Sequence, residues 1–183
     1  HSGITPAHAK EEIFLQRRER RALDASLDED LYQLLTRTEL LRKLNAAEFA
    51  AVFREMQKRD LAEGEVLYSQ GAAGDSMFIC LEGLLTSSIN LPDEGAVKVE
   101  TLRAGQHFGE SSMFKGNGRT TTVTAEADSL VYEIKRHVIE PLLDVRLDLR
   151  EQLEKDSKAE SQRIKDGWKG AAKGQGVYAL DAK

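Results

Sequence analysis

The distribution of apolar and polar residues divides the chain into three blocks, the first of which runs to residue 60. Four large apolar side chains there follow at intervals of three and four residues and share one helix face: Phe49, Val52, Phe53 and Met56. Asn45 and Glu48 stand just before that face with the spacing of a capping box. This block is predicted to be helical, with a charged and solvated stretch at its start.

The middle block, residues 61–135, consists of short apolar runs separated by glycines. The runs cover residues 65–68, 76–81, 84–91, 97–102, 120–124 and 130–134. Short strands divided by glycine turns are typical of an antiparallel sandwich or barrel rather than of a βαβ sheet. The pattern therefore predicts a mainly β protein, an antiparallel jelly-roll-like β-roll with flanking helices.

Helical spacing returns at residues 136–166, with apolar clusters on both sides of a break before Val145 and an almost wholly polar run from Lys155. The glycine-rich residues 167–183 are predicted to be a flexible tail. The first residues, His1-Ser2-Gly3, are typical of a cleaved tag. The predicted divisions are a charged N-terminal segment at 1–23, helices at 24–60, the β-roll at 61–135, C-terminal helices at 136–166, and the tail.

Composition narrows the classes of partner. The 26 Lys and Arg residues are outnumbered by 31 Asp and Glu, giving a net charge of −5, which argues against binding to DNA. No apolar run reaches the roughly 18 residues that a membrane-spanning helix needs, so no direct membrane contact by this segment is expected. The single cysteine, Cys80, excludes an internal disulfide and favours a reducing compartment.

The segment from Phe108 to Thr122 carries the chemistry. Gly109 permits a close approach of the backbone to a ligand, and residues 110–114 can form one helical turn whose free amides face an anion. Arg119 then supplies a planar, permanently charged fork suited to two phosphate oxygens. Glu110 would repel a phosphate, but it can accept a hydrogen bond from a sugar hydroxyl beside one. A cyclic phosphate fused to a ribose satisfies both residues.

A cupin-like metalloenzyme would need histidine and glutamate ligands that converge from two strands. The four histidines, His1, His8, His107 and His137, do not form such a set, and no nucleophile–base pair is evident. We therefore predict no metal, no catalytic residue and no cofactor apart from the ligand. A DNA-binding transcription factor would need a second apolar core after the β-roll, which the sequence lacks.

The chain resembles the cyclic-nucleotide-binding domains of kinase regulatory subunits, gated channels and the bacterial catabolite activator. The resemblance covers about 90 residues and rests on Gly64-Glu65-Val66-Leu67, Gly74-Asp75-Ser76-Met77-Phe78, Glu82-Gly83 and the stretch from Leu102 to Glu110. It includes the spacing between Gly109-Glu110 and Arg119-Thr120. It implies that Glu110 binds the ribose 2′-hydroxyl, that Arg119 binds the exocyclic phosphate oxygens, and that the backbone amides of Ser112 and Thr120 complete the phosphate cradle.

The resemblance implies a ligand, cAMP or cGMP, and a set of binding residues: Phe108, Gly109, Glu110, Ser111, Ser112, Arg119, Thr120 and Thr121. A threonine directly after the arginine often contacts the guanine amino group in the family. The chain departs from the family where Ser111-Ser112 replaces Leu-Ala and where Gly118 replaces proline. These departures bear on affinity more than on ligand class.

In the family the C-terminal helix closes over the base, so residues 136–166 are expected to be a hinge and a lid that is weakly held without ligand. The chain is then a non-enzymatic sensor that regulates an attached effector domain. Residues 139–150 are similar to the tail of bacterial mechanosensitive-like channels that carry such a domain, which implies a cytoplasmic position in a protein that spans a membrane. A structural or docking β-roll with a non-binding cassette remains the alternative.

Overall fold

The computed structural model describes residues 5–116 and 118–173, without the side chains of residues 18–28 and 30. Helix α1 spans Pro6–Leu35, a short 3-10 turn spans Leu41–Lys43, and helix α2 spans Ala46–Phe53. Thr5 caps α1 with its side chain, and Pro6 stands in the first turn, where its missing N–H costs nothing.

Helix α1 is continuous across residues 23 and 24, so the predicted division at that point is wrong. The charged stretch between Glu11 and Arg21 contains neither glycine nor proline and is rich in glutamate and arginine, which favour helix. The predicted capping box is confirmed at α2. The Asn45 side chain accepts from the Glu48 amide at 2.8 Å, and the Glu48 carboxylate accepts from the Asn45 amide at 3.0 Å.

Eight strands follow in the described chain: β1 Gln57–Leu61, β2 Val66–Tyr68, β3 Ser76–Glu82, β4 Leu84–Leu91, β5 Gly95–Arg103, β6 His107–Phe108, β7 Thr122–Ala125 and β8 Ser129–Lys135. A short helix, α3 Ser111–Lys115, lies between β6 and β7. The strands form two four-stranded sheets with the orders β1-β8-β3-β6 and β2-β7-β4-β5, and their pairs are antiparallel. The predicted β-roll with helices on both sides is confirmed.

Two larger apolar clusters and a smaller one hold the described part of the fold together. The first lies between the sheets, because its members come from strands of both, with Phe78, Cys80 and Val131 on one side and Leu85 and Val123 on the other. The second joins the helices to the outer face of the β1-β8-β3-β6 sheet: Leu35, Leu41, Phe49, Val52, Met77, Ile79, Ile134, Ile139, Leu143, Leu149 and Leu153. The N-terminal and C-terminal helices therefore share one core.

The C-terminal region forms helix α4 Arg136–Val145 and helix α5 Leu147–Ala172, separated by the single non-helical residue Arg146 at φ −106° and ψ 78°. A break is present as predicted, but it follows Val145 rather than preceding it, so Val145 belongs to α4. The Arg146 side chain pairs with Glu48 of α2 at 2.6 Å and with Asp148 of α5 at 2.9 Å. One residue thus connects three helices.

Helix α5 continues to Ala172, so the predicted start of a tail at residue 167 is wrong. Gly167 and Ala171 are small enough for α5 to approach β4 and β5, where Ala171 joins a cluster with Ile89 and Val97. Residues 174–183 of the predicted tail and residues 1–4 of the predicted tag lie outside the described part of the chain. Within the described residues, no helix combines the length and the apolar character needed to cross a membrane.

The expectation of a weakly held polar run beyond Lys155 is also wrong. Leu153 is fully buried upstream, and Ser157 and Glu160 are buried within the run itself. Arg163 pairs with Glu100 of β5 at 3.0 Å. Polar side chains hold this half of α5 against the β-roll by bonding to partners on the roll, which an apolar pattern cannot reveal.

Candidate functional site

Arg119, on the segment between α3 and β7, is the centre of the predicted cassette and is 6% exposed. Its Nη1 donates to the carbonyl oxygens of Ser76 at 2.7 Å and Gly109 at 3.0 Å, and to the Ser112 hydroxyl at 3.0 Å. Its Nη2 donates to the Ser76 hydroxyl at 2.8 Å. A buried guanidinium held by this many acceptors has a fixed position and keeps its charge.

Two aromatic rings form the floor beneath that charge. The Arg119 Cζ atom lies 4.4 Å from the centroid of the Tyr68 ring and 5.3 Å from that of Phe78. Burial raises the pKa of the Tyr68 phenol, so the ring stays neutral beneath the guanidinium. Cation–π contact with electron-rich ring faces stabilises a cation that has left water.

Two glycines make room for the arginine. A Cβ atom on Gly74 would lie 2.2 Å from Arg119 Nε, so any side chain there would displace the guanidinium. Gly109 has φ +83°, a backbone conformation that glycine adopts without strain. Its carbonyl oxygen accepts from Arg119, and also from the Ser112 hydroxyl at 3.0 Å.

Glu110 immediately precedes α3 and is 5% exposed. Among the described residues its Oε2 atom is buried without a hydrogen-bond partner. Burial raises the pKa of Glu110 to about 7, and the neighbouring His107 opposes that rise. The carboxylate can therefore accept a hydrogen bond that this protein does not itself supply.

His107 ties this region to the C-terminal helix. Its Nε2 atom lies 2.9 Å from Oδ2 of Asp156 on α5. Burial opposes protonation of His107, but the hydrogen bond to Asp156 and the charge of Glu110 outweigh it and raise the pKa of the imidazole. The same contact lowers the pKa of Asp156. The charged form of this pair joins β6 to α5.

Glu160 of α5 lies directly on the cassette. Its carboxylate accepts hydrogen bonds from the hydroxyl of Ser111 and, at 3.2 Å, from the hydroxyl of Thr120. Ser111 Oγ also lies 3.0 Å from the hydroxyl of Ser157. The serine that departs from the family pattern thus gives the cassette a polar contact to α5, which leucine at this position could not make.

A cavity of about 150 Å³ lies next to Glu110, between the β-roll and α5. Its polar lining comes from both sides: Glu39, Glu100, Gln106, His107, Glu110, Asp156, Glu160 and Arg163. The cavity therefore adjoins the Glu110 end of the cassette and faces α5, and Arg119 is not among the residues that line it.

The structure brings most of the predicted residues together. Arg119 donates hydrogen bonds to Gly109 and Ser112, and Glu110 lies between these two residues in the sequence. Ser111 and Thr120 both donate hydrogen bonds to Glu160. The Phe108 ring instead stacks on Phe78 in the core, with centroids 5.5 Å apart, and Thr121 is 1% exposed. Phe108 and Thr121 are therefore placed as supporting residues in the core. The ligand contacts expected of the eight predicted binding residues stay predictions.

Several residues that build the site were not predicted from the sequence, among them Tyr68, Gly74, Ser76, Glu133 and Glu160. Gly74 and Ser76 belong to a stretch that carried the family resemblance, but no pattern assigned them a role. Glu133 on β8 and Glu160 on α5 reach the site only through tertiary contacts, with sequence separations of 57 and 49 residues from their partners Ser76 and Ser111.

Comparison with known families decides what this β-roll is. Residues 58–146 match the family model described as the cyclic nucleotide-binding domain. This segment belongs to the cyclic nucleotide-binding domain family. The matched segment begins in β1 and ends at Arg146, so it includes both sheets, the cassette and α4, and α5 lies beyond it.

Relatives of the domain occur in different kinds of protein. The chain is 33% identical over 97 residues to a cAMP-dependent protein kinase regulatory subunit of Blastocladiella emersonii, covering 53% of this chain and 24% of that protein. It is 34% identical over 97 residues to a cyclic nucleotide-gated potassium channel of Rhizobium etli, covering 53% of this chain and 26% of that one. The chain thus spans about a quarter of the length of these curated relatives.

Solved structures agree on the fold. The regulatory domain of Toxoplasma gondii PKA with cAMP matches with a TM-score of 0.63 at 22% identity, over 69% of this chain and 48% of that one. The sensor domain of the transcriptional regulator DNR from Pseudomonas aeruginosa matches with a TM-score of 0.65 at 19% identity, over 76% of this chain and 94% of that one. The same roll with flanking helices therefore occurs in kinase regulators and in transcriptional regulators.

Proposed function

We propose that this protein binds a 3′,5′-cyclic purine nucleotide, cAMP or cGMP, in the cassette and converts occupancy into a change in the docking of α5. The observation that carries the proposal is the pairing of a fixed, buried arginine with a buried carboxylate that lacks a partner in the described chain. Membership of the cyclic nucleotide-binding domain family supports the same ligand class.

The two groups complement the two halves of such a ligand. The charge of Arg119, in a setting with little water, attracts the cyclic phosphate more strongly than an exposed arginine could. Oε2 of Glu110 accepts from the ribose 2′-hydroxyl, which satisfies a buried acceptor that has no partner within the described residues. A ligand lacking either the phosphate or the hydroxyl leaves one of these groups without its complement.

Helix α5 is the proposed responder because it contacts the cassette itself. Glu160 bonds to Ser111 and Thr120, which flank the proposed phosphate position, and Lys115 of α3 bonds to Ser161. A phosphate bound between the flanking residues repels the Glu160 carboxylate and changes the partners of both hydroxyls. The equilibrium position of α5 then depends on occupancy, as differential binding to two conformations requires.

The alternative is a docking β-roll that binds no nucleotide. It is favoured by the same hydrogen bonds, since Nη1 and Nη2 of Arg119 and the Ser111 hydroxyl already have partners within the protein. In that case α5 is permanently attached to the roll, and the pair of helices after the roll forms a fixed surface.

Calorimetric titration with cAMP and cGMP separates the two functions. Wild-type protein is expected to bind, and Arg119→Ala is expected to bind about 30- to 1000-fold more weakly, because a charge-assisted contact to a desolvated phosphate is lost. Arg119→Lys restores part of the affinity, since lysine keeps the charge but lacks the fork. Arg103→Ala removes an exposed arginine of the same roll and should bind as the wild type does. Absence of binding by the wild type selects the docking function.

Hydrogen exchange tests the response of α5. Nucleotide is expected to change exchange rates both in residues 108–116 and in residues 147–165. A change confined to the cassette contradicts the proposed coupling and leaves a binding site without a switch.

The effector is proposed by analogy with the relatives. A gated potassium channel and a kinase regulatory subunit both carry such a domain within a much longer chain. We propose that this chain likewise regulates another domain or partner, an ion channel being the first candidate, and that it neither catalyses a reaction nor binds DNA. Reconstitution of the full-length protein with and without cyclic nucleotide tests the regulated activity.

A further inference from the structure

A chain of polar contacts runs from Arg119 through the buried residues Ser76 and Glu133 to the partly exposed Arg59 and Lys135. The Ser76 hydroxyl donates to Glu133 Oε1 at 2.7 Å and accepts from Arg119 Nη2 at 2.8 Å. Oε2 of Glu133 accepts from Arg59, at 3.1 Å from Nε and 2.5 Å from Nη2, and Lys135 Nζ lies 3.0 Å from Oε1. Both Ser76 and Glu133 are buried.

The charge of Glu133 decides which way this chain of hydrogen bonds runs. Burial opposes ionisation of Glu133, but hydrogen bonds from Arg59, Ser76 and Lys135 outweigh it and lower its pKa to about 2. A carboxylate only accepts, so the single proton of the Ser76 hydroxyl must point at Glu133. The lone pairs of the hydroxyl then face Arg119, which can only donate. Glu133 thus makes Ser76 an acceptor for the arginine.

Ser76 accepts from one particular edge of the guanidinium. Its carbonyl oxygen takes a proton of Nη1 and its hydroxyl takes a proton of Nη2, so the edge formed by the two terminal nitrogens faces Ser76. A guanidinium carries five N–H groups in a rigid plane, and the remaining edge presents the Nε proton with the second Nη2 proton. Gly74 lies against this part of the guanidinium, where a Cβ atom would be 2.2 Å from Nε and 2.9 Å from Nη2, so only glycine leaves room there.

We propose that Glu133, acting through Ser76, is a positioning residue that fixes which edge of the Arg119 guanidinium meets the ligand phosphate. The Nε–Nη2 edge is presented to the phosphate as a pre-oriented two-pronged donor, and its rotation is prevented before ligand arrives. The inference rests on the proposed function, since it assigns a role within the same binding site.

The first test needs no ligand. In ¹⁵N NMR, the Arg119 guanidinium of the wild type should give resolved Nη signals that exchange slowly by rotation about the Cζ–N bonds. Ser76→Ala should speed that rotation about tenfold, the change expected when one hydrogen bond no longer restrains it, and Glu133→Gln should speed it less. Ser129→Ala is the control, because Ser129 is a buried serine of the same sheet whose hydroxyl bonds to Leu84 and Ala127. Unchanged rotation in both test variants overturns the proposal.

The second test uses the Rp and Sp phosphorothioate analogues of cAMP and cGMP, in which sulfur replaces one or the other exocyclic oxygen. A fixed fork distinguishes the two, so the wild type and Ser129→Ala should share one Rp-to-Sp affinity ratio. Ser76→Ala should bind the natural nucleotide about tenfold more weakly and bring that ratio at least threefold closer to one. A general loss of stability would lower both affinities without changing their ratio.

The two tests separate failure of the proposal from failure of the proposed function. A wild-type protein that binds no nucleotide refutes the proposed function, and the positioning of Arg119 by Glu133 is then judged by the rotation rates alone. A wild-type protein that binds, with an Rp-to-Sp ratio unaffected by Ser76→Ala and Glu133→Gln, refutes the positioning role and leaves the proposed function in place.

Discussion

Replacing Glu110 with glutamine should make the ligand-free protein less sensitive to pH. Burial raises the pKa of Glu110 to about 7 from an ordinary value of 4.5. Below pH 4.5 the residue is protonated in the folded and unfolded states alike. Between pH 4.5 and 7 only the unfolded state ionises, so stability falls as pH rises, and above 7 the loss is constant.

The size of the loss follows from the displacement of the pKa. Raising the pKa from 4.5 to about 7 lowers the free energy of unfolding by about 3 kcal/mol in all. About 2 kcal/mol of this loss occurs between pH 5 and pH 7.5. Glutamine does not titrate, so Glu110→Gln should gain about 2 kcal/mol relative to the wild type over that interval. Any fixed cost of burying an amide is the same at both pH values and cancels in the comparison.

Urea unfolding without nucleotide, at pH 5 and at pH 7.5, measures this difference. Glu126→Gln, which changes an exposed carboxylate of the same roll, serves as the control and should run parallel to the wild type. The measurement reports residue 110 together with the groups coupled to it, foremost His107. If the stability difference between Glu110→Gln and the wild type is the same at both pH values, Glu110 is not a buried, desolvated carboxylate and its assignment to the ribose fails.

Three further changes test other parts of the structure. Gly74→Ala places a Cβ atom 2.2 Å from Arg119 Nε and should weaken nucleotide binding at least tenfold in calorimetry, whereas the neighbouring change Ala73→Gly should not. The wild type is expected to bind cGMP and cAMP with affinities within about tenfold of each other. Thr120→Ala should weaken the binding of cGMP by about 1 kcal/mol more than that of cAMP. Equal losses for the two nucleotides would mean that Thr120 only supports the strand. Asn45→Ala removes the cap of α2 and should lower the free energy of unfolding in urea by about 1 kcal/mol, and an unchanged midpoint contradicts the role of the capping box.

The sheet could be predicted wherever a strand has its own apolar side chains. All six apolar runs between glycines correspond to strands, because each has apolar side chains that pack in a core cluster, although those of β2 are only partly buried. Strand β1 was missed because Gln57–Leu61 has one apolar residue and four exposed ones, and it is held by backbone pairing with β8. Strand β6 has two residues, too few for any periodicity.

The candidate site was predictable as far as it is local in sequence. The glycine, glutamate and arginine of the cassette lie within 10 residues of one another, so one motif contains them all. Ser76 bonds to Arg119 across 43 residues and to Glu133 across 57. Such partners follow only from the pairing of β3 with β8 and from the path of the segment before β7. Glu160 was hidden for a different reason, since it stands in a polar run where nothing distinguishes a buried carboxylate from a solvated one.

The single residue between α4 and α5 limits how α5 can move. Both helices keep their internal hydrogen bonds up to Arg146. The φ and ψ angles of Arg146 are therefore the backbone angles that can change most easily between the two helices. A rigid helix joined in this way has essentially two rotational degrees of freedom rather than the many that a flexible loop would give. Few measured distances are therefore needed to determine its position, and a pair of spin-label separations from the β-roll to α5 would report any movement of α5 about Arg146.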